Sequence, residues 1–116
     1  MNKEEIITKA YELFNARKTN ELLLLMTEDV HWPNGWEGGY VNGREEVKEY
    51  WTRQWMEIDP EVIPQSFDHL PGGRLAVIVR QTVKDLGGAV LFNGFVKHVY
   101  GFNNDLISEM QIEAVA

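Results

Sequence analysis

The 116-residue chain contains no cysteine. Disulfides, thiolate nucleophiles, iron–sulfur ligation and cysteine-based zinc sites are therefore excluded. Histidine is scarce: His31, His69 and His98 lie too far apart in sequence to form a His-Glu-x-x-His or other closely spaced ligand pair. No metal is expected. None of the ten glycines falls into a Gly-x-Gly-x-x-Gly or Walker-type loop, and no serine sits in a Gly-x-Ser-x-Gly elbow. No cofactor is expected either. Positive charge is also short, with 11 Lys and Arg against 18 Asp and Glu and a net charge of −7. Such a chain repels phosphate backbones, so a nucleic-acid partner is not expected. Long apolar runs are missing too. The longest aliphatic stretch, Leu22 to Met26, is far short of a bilayer's thickness. The charged start Met1-Asn2-Lys3-Glu4-Glu5 does not resemble a signal peptide. These absences point to a soluble, cytoplasmic protein without membrane contact.

What is present fits one domain spanning residues 1–116, a length that supports a packed core without staples. The apolar period changes once, near Pro60. Before it, helical spacing dominates. Residues 3–16 carry Ile6, Ala10 and Leu13 on one stripe with Ile7, Tyr11 and Phe14 beside it, as expected of a helix lying on a sheet. Thr19 or Asn20 can cap a short second helix running through Met26, whose Leu22–Leu25 run is apolar all round and so expected to be buried. Val30 to Trp32 reads as a short strand, Pro33-Asn34-Gly35 as a turn and 36–39 as a loop. Asn42-Gly43 opens a third helix over 44–57, which Asp59-Pro60 ends. Beyond it, period-two alternation predicts strands near 62–69, 75–84, 93–102 and 106–114, joined by Gly- and Asn-rich turns. On the second of these, Leu75, Val77, Val79, Gln81 and Val83 form the inner face, and Arg80 and Lys84 mark the outer one. The expectation is an α+β fold: helices packed on a curved antiparallel sheet.

Several segments resemble bacterial SnoaL-like proteins of the NTF2-like superfamily. They are Val30-His31-Trp32-Pro33-Asn34-Gly35-Trp36-Glu37-Gly38-Gly39, Asn42-Gly43-Arg44-Glu45-Glu46-Val47, Tyr50-Trp51-Thr52-Arg53-Gln54-Trp55, Lys97-His98-Val99-Tyr100-Gly101-Phe102 and the Asp105-Leu106-Ile107 turn. The resemblance covers nearly the whole chain. It implies a cone-shaped, cystatin-like fold, commonly a homodimer, with a pocket between the third helix and the sheet. It also implies a small apolar partner molecule. Relatives of this kind include isomerases, polyketide cyclases, epoxide hydrolases and dehydratases as well as pure ligand-binding modules, so fold does not fix function. In the cyclases and isomerases a pocket carboxylate often acts as general base. Here the last strand is expected to turn Leu106, Met110, Ile112 and Ala114 inward and Glu109, Gln111 and Glu113 outward, which leaves that strand without such a base.

His98 is the leading catalytic candidate. It shares an apolar face with Val96, Tyr100 and Phe102, where an imidazole can exchange a proton near pH 7 or serve as a core histidine satisfied by a neighbour. Glu37 is the second candidate, as a carboxylate beside the Trp segment whose pKa desolvation would raise. Asp29, the other nearby carboxylate, suits a helix-end or turn role. Gln81 is an amide among aliphatic neighbours and needs a partner, whether a ligand or a structural one. Trp32, Trp36, Tyr50, Trp51 and Trp55 supply walls, either of a pocket or of the core, with Trp36 at the pocket mouth or a dimer contact. Phe67, Val79, Val96 and Tyr100 complete the expected ligand-binding face. Phe95 and Val99, on the outer face, suit a sheet-to-sheet homodimer contact. Three functions remain open on this reading: cofactor-independent proton transfer of isomerase, cyclase or hydratase type, a non-catalytic ligand-binding module, and a dimeric scaffold with a filled core.

Overall fold

The computed structural model describes residues 1–115. The elements follow as α1 (Lys3–Asn15), α2 (Thr19–Leu23), β1 (Met26–Pro33), β2 (Tyr40–Asn42), α3 (Gly43–Glu57), β3 (Ile58–His69), β4 (Leu75–Asp85), β5 (Val90–Asn103) and β6 (Leu106–Glu113), with a 3₁₀ turn at Pro71–Gly73. The strands make one curved, unclosed sheet in the order β2-β1-β6-β5-β4-β3. From β3 to β6 it is the antiparallel meander that the alternation predicts. The exception is β1, which lies parallel to β6. That pairing joins the two ends of the chain and cannot be seen in any local pattern.

Helix α1 begins in a capping box. Asn2 accepts from the Glu5 backbone N–H at 2.8 Å, and the Glu5 carboxylate accepts from the Asn2 N–H at 2.9 Å. It ends with Arg17 at φ 61°. The Lys18 N–H reaches the Leu13 carbonyl and the Arg17 N–H reaches that of Phe14, a Schellman-type closure made without glycine. The Asn15 amide then clasps β3, donating to the Val62 carbonyl at 2.8 Å and accepting from its N–H at 3.0 Å. This fixes the helix against the sheet's edge strand. Ile6, Ile7, Ala10, Tyr11 and Leu13 are buried there. Beneath them Leu75, Val77 and Val79 are completely covered, each contributing about 1.5–3 kcal/mol of burial.

Several boundaries differ from the sequence pattern. Helix α2 stops at Leu23, its N-cap residue is Lys18, and Leu24 is 67% exposed, so the leucine run is not buried all round. The residues from Met26 instead enter β1, which makes it an eight-residue strand and puts Asp29 in mid-strand on its exposed side. The stretch after the expected loop forms β2, a short hairpin partner of β1. Two bulges shift the inward parity. One, at Gln65, lets both Val62 and Phe67 face the helices. The other, at Ser108, turns Ile107 rather than Leu106 into the core. A bulge adds one residue to one strand, which a strict two-residue period does not register. Prolines 60 and 64 sit in β3, where an edge position makes their missing N–H tolerable.

Candidate functional site

The helices do not fill the space above the sheet. A cavity of about 390 Å³ remains between α1, α3 and the inner faces of β3 to β6, at the lower end of the range for small-molecule sites. Its lining includes Tyr11, Phe14, Trp32, Trp36, Tyr50, Trp51, Gln54, Ile58, Val62, Gln81, Val83, Phe92, Val96, His98, Tyr100, Met110 and Ile112. No Asp, Glu, Lys or Arg side chain lines it among the described residues. The closed end is formed by buried Tyr11 and Tyr100, with Leu22 and Met26. The rim is formed by Trp36, Phe92 and Ile112, which are 38%, 44% and 44% exposed.

Strand β5 organises the polar part. Phe92, Gly94, Val96, His98 and Tyr100 alternate onto the inner face. At the closed end three side chains form a buried chain. The Tyr100 hydroxyl donates to the Tyr11 oxygen at 2.7 Å, and Tyr11 lies 2.9 Å from His98 Nδ1. Tyr100 commits its hydrogen to Tyr11, so Tyr11 has its own hydrogen left to give to Nδ1. The network therefore assigns His98 the neutral tautomer with its proton on Nε2. Burial lowers the His98 pKa from 6.5 to about 4. Burial also raises the Tyr100 and Tyr11 hydroxyls well above their usual range. Of the two roles open to His98 from its sequence position, its burial and the Tyr11 contact favour the histidine satisfied by a neighbour and neutral at pH 7 over proton exchange near neutrality. Its Nε2–H has no protein partner among the described residues.

On the opposite wall, Gln54 donates to the Tyr50 hydroxyl at 3.0 Å, while its Oε1 is buried without a partner among the described residues. Burial raises the Tyr50 pKa, an effect opposed by the facing Trp36 and Gly35 backbone N–H groups. Trp51 is 1% exposed and packs edge-on against Trp32 with ring centroids 5.6 Å apart. Gln81 reaches the cavity from β4 and makes no side-chain hydrogen bond to the described residues.

Of the residues singled out from sequence, the fold brings His98, Trp32, Trp36, Tyr50, Trp51, Gln81, Val96 and Tyr100 to this one cavity. Four others lie elsewhere. Glu37 is outside the lining, and its partners outweigh its desolvation. Arg53 at 2.9 Å and Asn34 at 2.9 Å hold its carboxylate below the usual range, the opposite of a raised general base. Trp55 packs behind Trp51, against Phe14 and under the Arg17 guanidinium. Val79 is wholly buried in the sheet core. Phe67 lies on the far side of α1, beside a shallow surface groove. On the outer face, Phe95 is half-exposed beneath Arg80, but Val99 is buried rather than available for contact.

Tyr11, Gln54, Phe92 and Met110 also line the cavity, and the sequence pattern did not single them out for it. Tyr11 carried a signal, because a tyrosine on an apolar helical stripe needs a partner for its hydroxyl. Phe92 carried none, since it precedes the start expected for its strand.

Three helices laid on an unclosed, curved sheet around a cavity define the NTF2-like, cystatin-like fold, and this chain adopts it. No protein-family model and no curated protein matches the chain. Solved structures do. An NTF2-like protein of unknown function from Burkholderia pseudomallei aligns with a TM-score of 0.84, over 99% of this chain and 92% of its own, at 21% identity. A Mycobacterium tuberculosis protein in complex with estradiol-17β-hemisuccinate aligns at 0.81, over 95% and 91%, with 18% identity. SalBIII, an epoxide hydrolase/cyclase-like enzyme of pyran ring formation in salinomycin, aligns at 0.80, over 95% and 88%, with 15% identity. At these identities the likeness is one of fold.

Proposed function

We propose that this protein is a small-molecule pocket protein of the SnoaL-like type, which takes up a neutral, largely apolar compound and hydrogen-bonds its oxygen through His98. The observation that carries this reading is an uncharged cavity holding a neutral imidazole whose free Nε2–H is fixed by Tyr11 and Tyr100. A charged ligand would lose its hydration there without gaining a counter-ion. The estradiol skeleton bound by one protein of the same fold supports a largely apolar ligand body by analogy; the succinate half ester on that compound carries a carboxylate and does not bear on the neutrality of the ligand. Tryptophan fluorescence tests it, by titration with neutral phenols and cyclic ketones. Saturable quenching or a blue shift is expected, weakened in His98→Ala. A flat response from folded protein across the panel refutes it.

Cofactor-independent catalysis of isomerase, cyclase or hydratase type is the second reading. A neutral histidine can polarise a carbonyl without titrating, and the Tyr100–Tyr11–His98 chain aims such a donor at the ligand. His98 would then be an electrophile rather than a base. Removing it should lower turnover roughly 10²- to 10³-fold, and turnover unchanged in His98→Ala refutes this role. The open cavity argues against a filled-core scaffold. A homodimer through the outer sheet face, where Phe95 and Ile63 are exposed, and a cytoplasmic location complete the proposal. Sedimentation at micromolar concentration tests the dimer, and a strictly monomeric protein refutes it.

A further inference from the structure

On the sheet wall of the cavity two polar side chains, His98 and Gln81, are free to bond a ligand and do not sit together; a third free group, the Gln54 Oε1, faces them from α3. His98 pairs across the sheet with Val77, whereas Gln81 pairs with Gly94. Gly94 and His98 are four residues apart on one strand face, a separation of about 13 Å along the strand. Between them the inner face offers only Val96 and its neighbour Val79. Gln81 therefore stands toward the rim, one inward position from the pair Val83 and Phe92, and His98 stands toward the closed end. The Phe92 ring lies over Gly94 beside Gln81, so close that a Cβ on Gly94 would lie 3.1 Å from it. Phe92 thus caps the outer end of a channel whose sheet wall is polar at two points and apolar between, with Gln54 and Tyr50 on the facing helix.

From this placement we infer that the ligand is an elongated neutral molecule with an acceptor oxygen at its inner end, received by His98, and a second hydrogen-bonding group at its outer end, received by Gln81. The inference rests on the binding reading above and adds a ligand class to it. The inner group must accept, because the Tyr11–His98 chain leaves Nε2 only a proton to offer. The outer group can donate or accept, because a primary amide does both. A compact ligand with one polar group would leave one of the two sites without a partner, and burying an unpaired amide opposes binding.

The test pairs two probes with two proteins. 4-Phenylcyclohexanone carries the inner acceptor alone, and 4-(4-hydroxyphenyl)cyclohexanone adds a hydroxyl at the far end of the same two-ring body. Affinities are measured by calorimetry and tryptophan fluorescence on the wild type and on Gln81→Leu. Gln81→Asn serves as a shorter amide in case the leucine variant does not fold. In the wild type the hydroxylated probe is expected to bind about five- to tenfold more tightly. Gln81→Leu should erase that preference, weakening the hydroxylated probe and tightening 4-phenylcyclohexanone, which no longer buries an unpaired amide, and Gln81→Asn should reduce it. If both probes bind the wild type equally, or the preference survives both substitutions, the two-ended ligand is refuted and the binding reading stands. If neither probe binds folded protein, both readings fail.

Discussion

Acid should reveal His98 through stability. Burial holds its folded-state pKa at about 4 against 6.5 when exposed. Between those values the unfolded chain binds a proton that the native protein refuses, so the unfolded state binds more protons and stability rises with pH. The contribution is complete above pH 6.5 and is lost as pH falls toward 4. At ~1.4 kcal/mol per pH unit of depression the total is about 3 kcal/mol, a large share of the roughly 5–15 kcal/mol that holds a small domain together. Near pH 5.5 about 1.4 kcal/mol should already be gone. Eighteen Asp and Glu residues also titrate toward the acid end, so wild-type unfolding alone does not isolate the histidine. The comparison is with His98→Gln, whose amide can still accept from Tyr11 but does not titrate. Urea unfolding of both proteins at several pH values from 7 to 4.5 should show the wild type losing ~2–3 kcal/mol more than the variant. Imidazole resonances in wild-type NMR spectra should show one histidine still neutral at pH 5. Parallel stability curves, or a His98 that titrates near 6.5, would overturn the buried donor chain and the ligand chemistry built on it.

The tryptophans should separate by role. Trp51→Ala should cost ~3–5 kcal/mol of stability, because it removes a large side chain that is 1% exposed and enlarges the cavity it lines. Trp36→Ala at the exposed rim should cost under about 1 kcal/mol and chiefly change the ligand-induced fluorescence signal. Asn15→Ala should lower stability by ~1–2 kcal/mol, visible as a reduced thermal midpoint, because it unpairs both backbone groups of Val62. Glu37→Gln should leave ligand affinity within about twofold of wild type, a range of ~0.4 kcal/mol, because its carboxylate pairs with Arg53 outside the cavity. A larger loss in a ligand titration would return Glu37 to the site.

Much of this protein was legible in the chain. The 3.6-residue period of Ile6, Ala10 and Leu13 set the buried face of α1. The two-residue period of Leu75, Val77 and Val79 set the inner face of β4. Both follow from burial of one face per element, a local property that spacing encodes. The same alternation placed Gln81, Val96, His98 and Tyr100 on a common face, and it excluded a carboxylate from the inner face of β6. The Gly-Gly pairs marked turns that follow strands, with Gly38, Gly39, Gly72, Gly73 and Gly88 at positive φ, a region few other residues adopt without strain.

Tertiary structure decided the rest. The parallel pairing of β1 with β6 joins segments some eighty positions apart, and no local period reports it. The bulges at Gln65 and Ser108 re-aimed Val62 and Ile107, because one extra residue reverses a strand's parity. Glu37 was near the tryptophans in sequence, yet Arg53 from the following helix holds it outside the cavity. His98 was recognisable as an inward imidazole, but its charge and tautomer were not. Those depend on two hydroxyls, one from a helix eighty-seven positions earlier, and on how much water the packed chain excludes. The sequence determines which residues turn inward. The packed structure determines which of them meet, which remain free to bond a ligand, and which are charged.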